Sequence, residues 1–296
     1  MYAMNISLTG SRHRQANQDC QDYSKTMHLE AGGHKILIAV ACDGVGSAAY
    51  SKKGAKTAAN TYLKLIRQGL LKEDFSHRKG KMLDLLHTAM RGARAAVDAL
   101  ADSEGNPRRE YDTCLTGAVL RGDGRLFWSQ AGDGGLVALG QYDGTYRKLT
   151  PRCNGEEAGS VFPLSCDSQW VIGSAEEIAS VMMCTDGVLD HFVAAEALGS
   201  LVYWPFLAPA FRPINSKKEV LALKQQWMDF LTGKIGYNFP ARVTDDLTVV
   251  ILGLDGDCIR QALERVSWNE ETFLKQLKEA RQRVWPNLYP AEATET

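Results

Sequence analysis

No apolar run in these 296 residues approaches the ~18 needed to cross a bilayer, so no membrane-spanning helix is expected. The first residues, MYAMNISLTGSRHRQ, lack the apolar core of a secretion signal, and a cytoplasmic location is expected. Charge of one sign is also missing. Lys plus Arg is 34 and Asp plus Glu is 35, a net charge of −1, which leaves no global field to hold nucleic acid or an anionic membrane surface. The seven cysteines form no Cys-x-x-Cys pair and are odd in number, so reduced, mostly buried thiols are expected rather than a disulfide framework. Clustered Cys/His spacing is absent, which argues against zinc. There is no GxxxxGK[ST] loop, internal repeat or low-complexity linker.

What is present is ordinary globular composition, 45% hydrophobic and 23% charged. Chains of this length bury roughly three quarters of the surface exposed on unfolding, so a core forms without staples. Residues 35–42 (KILIAVAC) read as a buried strand ending at Asp43-Gly44. A helix with Ala55, Ala58 or Ala59, Tyr62, Leu63 and Ile66 on one face follows, then a second over about 81–101, stopped at Gly105-Asn106-Pro107. Short strands at 113–120, 125–130, 135–139 and 146–149, separated by Gly and Asp turns, read as an antiparallel meander. Further strands are expected at 181–184 and 247–253, with irregular helical chain between them over 188–240. Ser267 with Glu270 reads as a capping box opening a last helix that carries Phe273, Leu274, Leu277, Ala280 and Val284. Helices, then strands, then helices, without βαβ alternation, argue for an α+β layered fold.

The chemistry gathers in aspartates at strand ends: Asp22, Asp43, Asp133, Asp186 and the pair Asp245-Asp246. Three of them precede Gly, and a lone Asp-Gly is usually a plain turn. Several carboxylates converging at one end of buried strands would repel each other, however, and hard divalent cations relieve that repulsion. Oxygen donors suit Mg²⁺ or Mn²⁺ rather than Zn²⁺. Two such cations would bind a phosphate and generate hydroxide for in-line attack.

The motifs Gly10-Ser-Arg-His13, Asn17-Gln-Asp19-Cys-Gln-Asp22, VACDGVGSAAYSKKGAKTA (40–58), YDTCLTGAVL (111–120), AGDGGLVAL (131–139), MMCTDGVLD (182–190) and TDDLTVVIL (244–252) come in one order. Over about residues 5–253 the chain resembles the metal-dependent serine/threonine phosphatases of the 2C type. It is most similar to the bacterial branch whose first motif reads Gly-x-x-His and then Cys/Asn-Gln-Asp. The segment GEEAGSVFPLS (155–165) resembles a Gly-Glu-containing stretch of that branch.

The resemblance implies a four-layer α-β-β-α sandwich of two antiparallel sheets flanked by helix pairs. It implies a catalytic domain over 1–254, with 188–240 a variable flap-like insertion, and a helical C-terminal extension over 255–296 with a frayed tail. It implies hydrolysis of phosphoserine and phosphothreonine on proteins by a hydroxide bridging two Mg²⁺ or Mn²⁺ ions, with a third, weaker ion. Asp43 would bridge both metals, Gly44 would lend its carbonyl, and Asp186 and Asp245 would complete one site. Asp133 would reach the third ion with Asp186, and Asp22 would orient the water shell of the second. The implied partners are a phosphoprotein substrate and a cognate Ser/Thr kinase. The alternative is a pseudophosphatase that binds a phosphoprotein or kinase without turnover.

Three assignments stay open at this level. Arg14 and Arg12 compete as the phosphate-binding Arg. Val45-Gly46-Ser47 holds no His to act as general acid, which leaves a metal-bound water or His13. In the first motif Asp22 competes with Asp19; three residues apart on extended chain, their side chains face opposite sides, and the spacing of Gly10 and His13 favours Asp22.

Overall fold

The structure, a computed structural model, describes residues 1–72, 78–151, 153, 161–235 and 243–290. Parts of three expected segments lie outside the described residues: 155–160 of the Gly-Glu stretch, 236–240 of the flap and the tail from 291.

Among the described residues the chain builds ten strands and eight α-helices. In order these are β1 (Tyr2–Leu8), α1 (Ser11–Gln15), β2 (Tyr23–Ala31), β3 (His34–Cys42), α2 (Ser51–Lys72), α3 (Lys79–Glu104), β4 (Leu115–Arg121), β5 (Leu126–Ala131), β6 (Gly135–Gly140), β7 (Tyr146–Lys148), β8 (Val171–Ala175), β9 (Ile178–Cys184), α4 (Asp186–Leu189), α5 (Trp204–Leu207), α6 (Lys217–Leu231), β10 (Leu247–Gly253), α7 (Gly256–Leu263) and α8 (Glu270–Val284). One antiparallel sheet has the order β2-β3-β4-β5-β8, the other β1-β10-β9-β6-β7.

Three apolar layers result. On β3, Ile36, Ile38, Val40 and Cys42 face α2 and α3, whose Ala55, Tyr62, Leu63, Ile66, Leu86 and Ala89 fill the same cluster. The alternate residues Leu37, Ala39 and Ala41 meet Leu136, Val181, Met183 and Val250 of the other sheet. Val249, Ile251 and Met182 point outward from that second sheet, against Leu207, Leu223, Trp227 and Ile259 of α5, α6 and α7. Strands buried on both faces read as continuous apolar runs, which is why β3 and β10 stand out in the sequence. The layers stack α-β-β-α, as expected.

Two expectations are corrected. The strands over 113–149 do not form one meander. β4 pairs with β5 in the first sheet and β6 with β7 in the second, so the turn at Gly132-Asp133-Gly134 carries the chain between sheets. A hairpin turn and a sheet crossing use the same Gly and Asp residues, and local sequence does not separate them. The last helix starts at Glu270, with Asn269 as its N-cap accepting from the Thr272 amide; Ser267 plays no such part. A capping box is present instead at Ser216 and Glu219, opening α6. Leu274 of the expected apolar stripe is 53% exposed. β1 and β8 escape the sequence reading: β1 alternates buried Tyr2, Met4 and Ile6, on the helix-facing side of the sheet, with half-exposed Ala3, Asn5 and Ser7 on the side of the other sheet, and β8 is only five residues long.

Two expectations on composition can be compared directly. None of the seven cysteines is in a disulfide, and Cys42, Cys114, Cys153 and Cys184 are buried. Among the described residues no helix is long and apolar enough to cross a membrane.

Candidate metal centre

Strand register brings the aspartates together. Tyr23 pairs with Cys42, so Asp22 enters β2 beside the point where Asp43 leaves β3. Gly135 and Val249 both pair with Cys184, so Asp133, entering β6, and Asp245, preceding β10, come to the end of β9 where Asp186 stands. Carboxylate oxygens of Asp43, Asp133 and Asp186 lie within 4.8 Å of one another, each residue partly exposed.

Close backbone packing makes this geometry possible. A Cβ on Gly44 would meet the Gln21 carbonyl oxygen at 2.9 Å and Ser51 Cβ at 2.8 Å, so only Gly lets the loop after Asp43 lie against the loop before Asp22. The Asp43 carbonyl accepts from the Cys114 amide and from Thr113 Oγ1, each at 2.7 Å. The Asp133 turn is held from beneath by Gln130. This fully buried side chain donates through Nε2 to the carbonyls of Gly132 (2.8 Å), Gly134 (2.9 Å) and Pro151 (2.9 Å).

The electrostatics are those of an anion cluster. Desolvation, and after it repulsion from Asp22, Asp186, Asp133 and Asp245, holds the Asp43 carboxyl well above the usual carboxylate range. Asp22 is 5% exposed and its carboxyl is pushed up to about 8, first by burial and then by the charge of Asp246. Thr185 Oγ1 donates to Asp22 Oδ2 at 3.0 Å, while Asp22 Oδ1 is buried without a hydrogen-bond partner. A buried carboxylate oxygen left without a donor is costly. Together with an all-oxygen donor set at Asp43, Asp133 and Asp186, it fits a hard divalent cation and its water shell.

The remaining sequence candidates fall in different places. Asp19 is on the surface, its carboxylate on Lys52 Nζ at 2.7 Å, with 81% of the side chain exposed. Asp245 Oδ1 accepts from the Asp246 amide at 2.9 Å. His13 is 3% exposed, and its Nδ1 lies 2.9 Å from Asp246 Oδ1. Arg14 is exposed and donates to the Thr9 carbonyl. Arg12 is exposed too, and its Nη2 lies 3.3 Å from where a Cβ on Gly46 would sit, which places the guanidinium over the loop that follows Asp43. In the segment 188–240, Phe211 and Trp227 are core residues at 1% and 2% exposure. Sequence reasoning gave no role to Gln130 or Thr185, and none to Asp246 beyond membership of the acidic set. A pair of adjacent aspartates on extended chain signals that one of the two faces away.

A family model described as Protein phosphatase 2C matches residues 9–232. Solved structures of similar fold include a bacterial serine phosphatase, at 12% identity over 87% of this chain and 99% of that one, with a TM-score of 0.58. Another is the serine/threonine phosphatase Stp1 from Staphylococcus aureus, at 11% identity over 86% of this chain and 95% of that one, TM-score 0.56. A C. elegans sex determining protein is similar at 16% identity over 89% of this chain and 67% of that one, TM-score 0.58. At such identities the likeness speaks for the fold alone. No curated protein matches the chain. The family model spans most of the sequence and the two sheets reproduce the sandwich, so the chain belongs to the protein phosphatase 2C family.

Proposed function

We propose that this protein is a Mg²⁺- or Mn²⁺-dependent phosphatase acting on phosphoserine and phosphothreonine of proteins, in the cytoplasm, opposite a Ser/Thr kinase. The observation that carries the reading is the convergence of Asp43, Asp133 and Asp186 within 4.8 Å, with Asp22 buried beside them and one of its oxygens without a donor. In this reading Asp43, the Gly44 carbonyl, Asp133, Asp186 and Asp245 hold the cations, and Asp22 orients their water. When bound, the cations supply water activation and positive charge facing the phosphate.

The chain's own residues do the rest. Thr185 fixes one oxygen of Asp22, so the other points at a defined place. Thr113 and the Cys114 amide take up the Asp43 carbonyl, which fixes the backbone from which its carboxylate projects. Arg12, over Gly46, is the better placed of the two arginines to meet phosphate oxygens; Arg14 is turned back to Thr9. The catalytic unit in this reading runs to residue 254, because β10 lies between β1 and β9 and Asp245 stands at its entry.

Turnover of p-nitrophenyl phosphate and of a phosphothreonine peptide, with Mn²⁺ and with chelator, tests the proposal. Hydrolysis that needs the metal is expected. Binding of the phosphopeptide without turnover in saturating Mn²⁺ would overturn it in favour of a pseudophosphatase.

A further inference from the structure

Asp246, adjacent to a proposed metal ligand, is 3% exposed and is the junction of three segments far apart in sequence. Its Oδ1 accepts from the Gly10 amide at 2.6 Å and lies 2.9 Å from His13 Nδ1. Its Oδ2 accepts from the Gln21 amide at 2.6 Å. A carboxylate only accepts, so His13 carries its proton on Nδ1 and donates. The Asp246 amide in turn donates to Asp245 Oδ1. The Asp246 carbonyl oxygen would lie 2.4 Å from a Cβ on Gly187, next to Asp186.

The same junction seats α1. This helix has five residues, and a helix so short has no stability of its own. His13 is its one buried side chain. It is anchored by polar contacts: the Arg12 amide donates to the Thr244 carbonyl at 3.0 Å and Ser11 Oγ to the Val243 carbonyl at 3.2 Å. Gly10 presses against this strand entry so closely that a Cβ would lie 2.2 Å from the Asp245 carbonyl oxygen.

From these contacts we infer that His13 and Asp246 are a positioning pair, which sets Asp22, Asp245 and Arg12 at once. Asp22 is set through the Gln21 amide, Asp245 through the backbone it shares with Asp246, and Arg12 through the seating of α1. Both side chains are 3% exposed and turned to each other. His13 is therefore a positioning residue, not a proton donor to the leaving group. The inference rests on the phosphatase reading above and adds to it a part outside the metal ligands. Partners one bond removed from a metal ligand typically set its affinity by about 10–100-fold.

Four variants test this: His13→Leu, His13→Asn, His13→Gln and Arg12→Gln, with Mn²⁺ affinity read from the free-ion EPR signal and KM from a phosphothreonine peptide. The amide nitrogen of Asn stands the same number of bonds from Cα as Nδ1 and restores the donor, whereas that of Gln is one bond too far. His13→Leu is expected to weaken Mn²⁺ about 10–100-fold and raise KM. His13→Asn should recover the metal affinity. Arg12→Gln should raise KM with Mn²⁺ affinity unchanged. Parent-like Mn²⁺ affinity in His13→Leu would overturn the pair. Should His13→Leu fail to fold, His13→Asn binding Mn²⁺ no better than His13→Gln would overturn it equally. Parent protein that binds no Mn²⁺ would overturn the phosphatase reading itself, and this inference with it.

Discussion

Thr185 and Asp22, 163 residues apart, are joined by a 3.0 Å hydrogen bond that takes one carboxylate oxygen and leaves its buried neighbour without a donor. Asp22 sits at the entry to the first sheet and Thr185 at the end of a central strand of the second. The bond therefore joins the two sheets beside the aspartate cluster.

Asp22→Asn should weaken Mn²⁺ binding and lower turnover by about 10-fold or more, since a water-orienting partner is removed. Asp19→Asn should leave both at parent values, because its carboxylate meets only Lys52 at the surface. Paired Mn²⁺ titrations and steady-state turnover of the two variants check this. Loss in Asp19→Asn beside an unaffected Asp22→Asn would reverse the assignment.

The metal-free protein should lose stability as pH rises. The Asp22 carboxyl stands near 8 in the folded state against 3.8 for an unperturbed group, and the Asp43 carboxyl is raised as well. The folded state therefore binds more protons than the unfolded one across that interval, and stability falls from about pH 4 up to about pH 8 on account of these groups. Metal binding needs the ionised forms, so the rise in Tm caused by Mn²⁺ should be larger at pH 8 than at pH 6. Thermal melts in chelator and in millimolar Mn²⁺ at both pH values measure it. A chelator-treated protein whose Tm climbs from pH 5 to pH 8, with no gain from Mn²⁺, would contradict the convergence of charges.

Gly10→Ala should destabilise the protein by about 1–3 kcal/mol, the usual cost of forcing a carbon into filled space. Its Cβ would sit 2.2 Å from the Asp245 carbonyl oxygen, and that backbone leads directly into β10. Gly80→Ala, with nothing within 4 Å, is the control and should not destabilise. Chemical denaturation of both variants in chelator separates the two.

Arg12→Gln should raise KM for a phosphopeptide by roughly 10–100-fold, the range expected when a charge-assisted hydrogen bond of about 1.5–3 kcal/mol is lost. Arg14→Gln should change it little. Steady-state kinetics on the two variants decide which guanidinium meets the phosphate.

Much of this was legible in the sequence where periodicity or a punctuating turn was strong. β3 and β10 are buried on both faces and read as apolar runs, and α2 and α3 show their stripes because each packs one face on a sheet. β1 hid because its alternation is short and the residues on its other face, Ala3, Asn5 and Ser7, are small. The crossing at Gly132-Asp133-Gly134 hid because pairing partners are a long-range property: β6 finds the distant β9 rather than β5. In the site, the aspartates announced themselves by chemistry and position. Their supports did not. Gln130, Thr185 and the His13 contact act through hydrogen bonds to segments distant in the chain, and no local pattern encodes those.

Diffraction at the manganese edge, from crystals grown in Mn²⁺, locates the cation itself. An anomalous peak is expected at about 2.0–2.2 Å from a carboxylate oxygen of Asp43, shared with at least one more of the clustered aspartates, and its loss is expected in Asp43→Asn. A fully occupied structure of the parent protein with Mn²⁺ elsewhere and none in contact with Asp43 would contradict it.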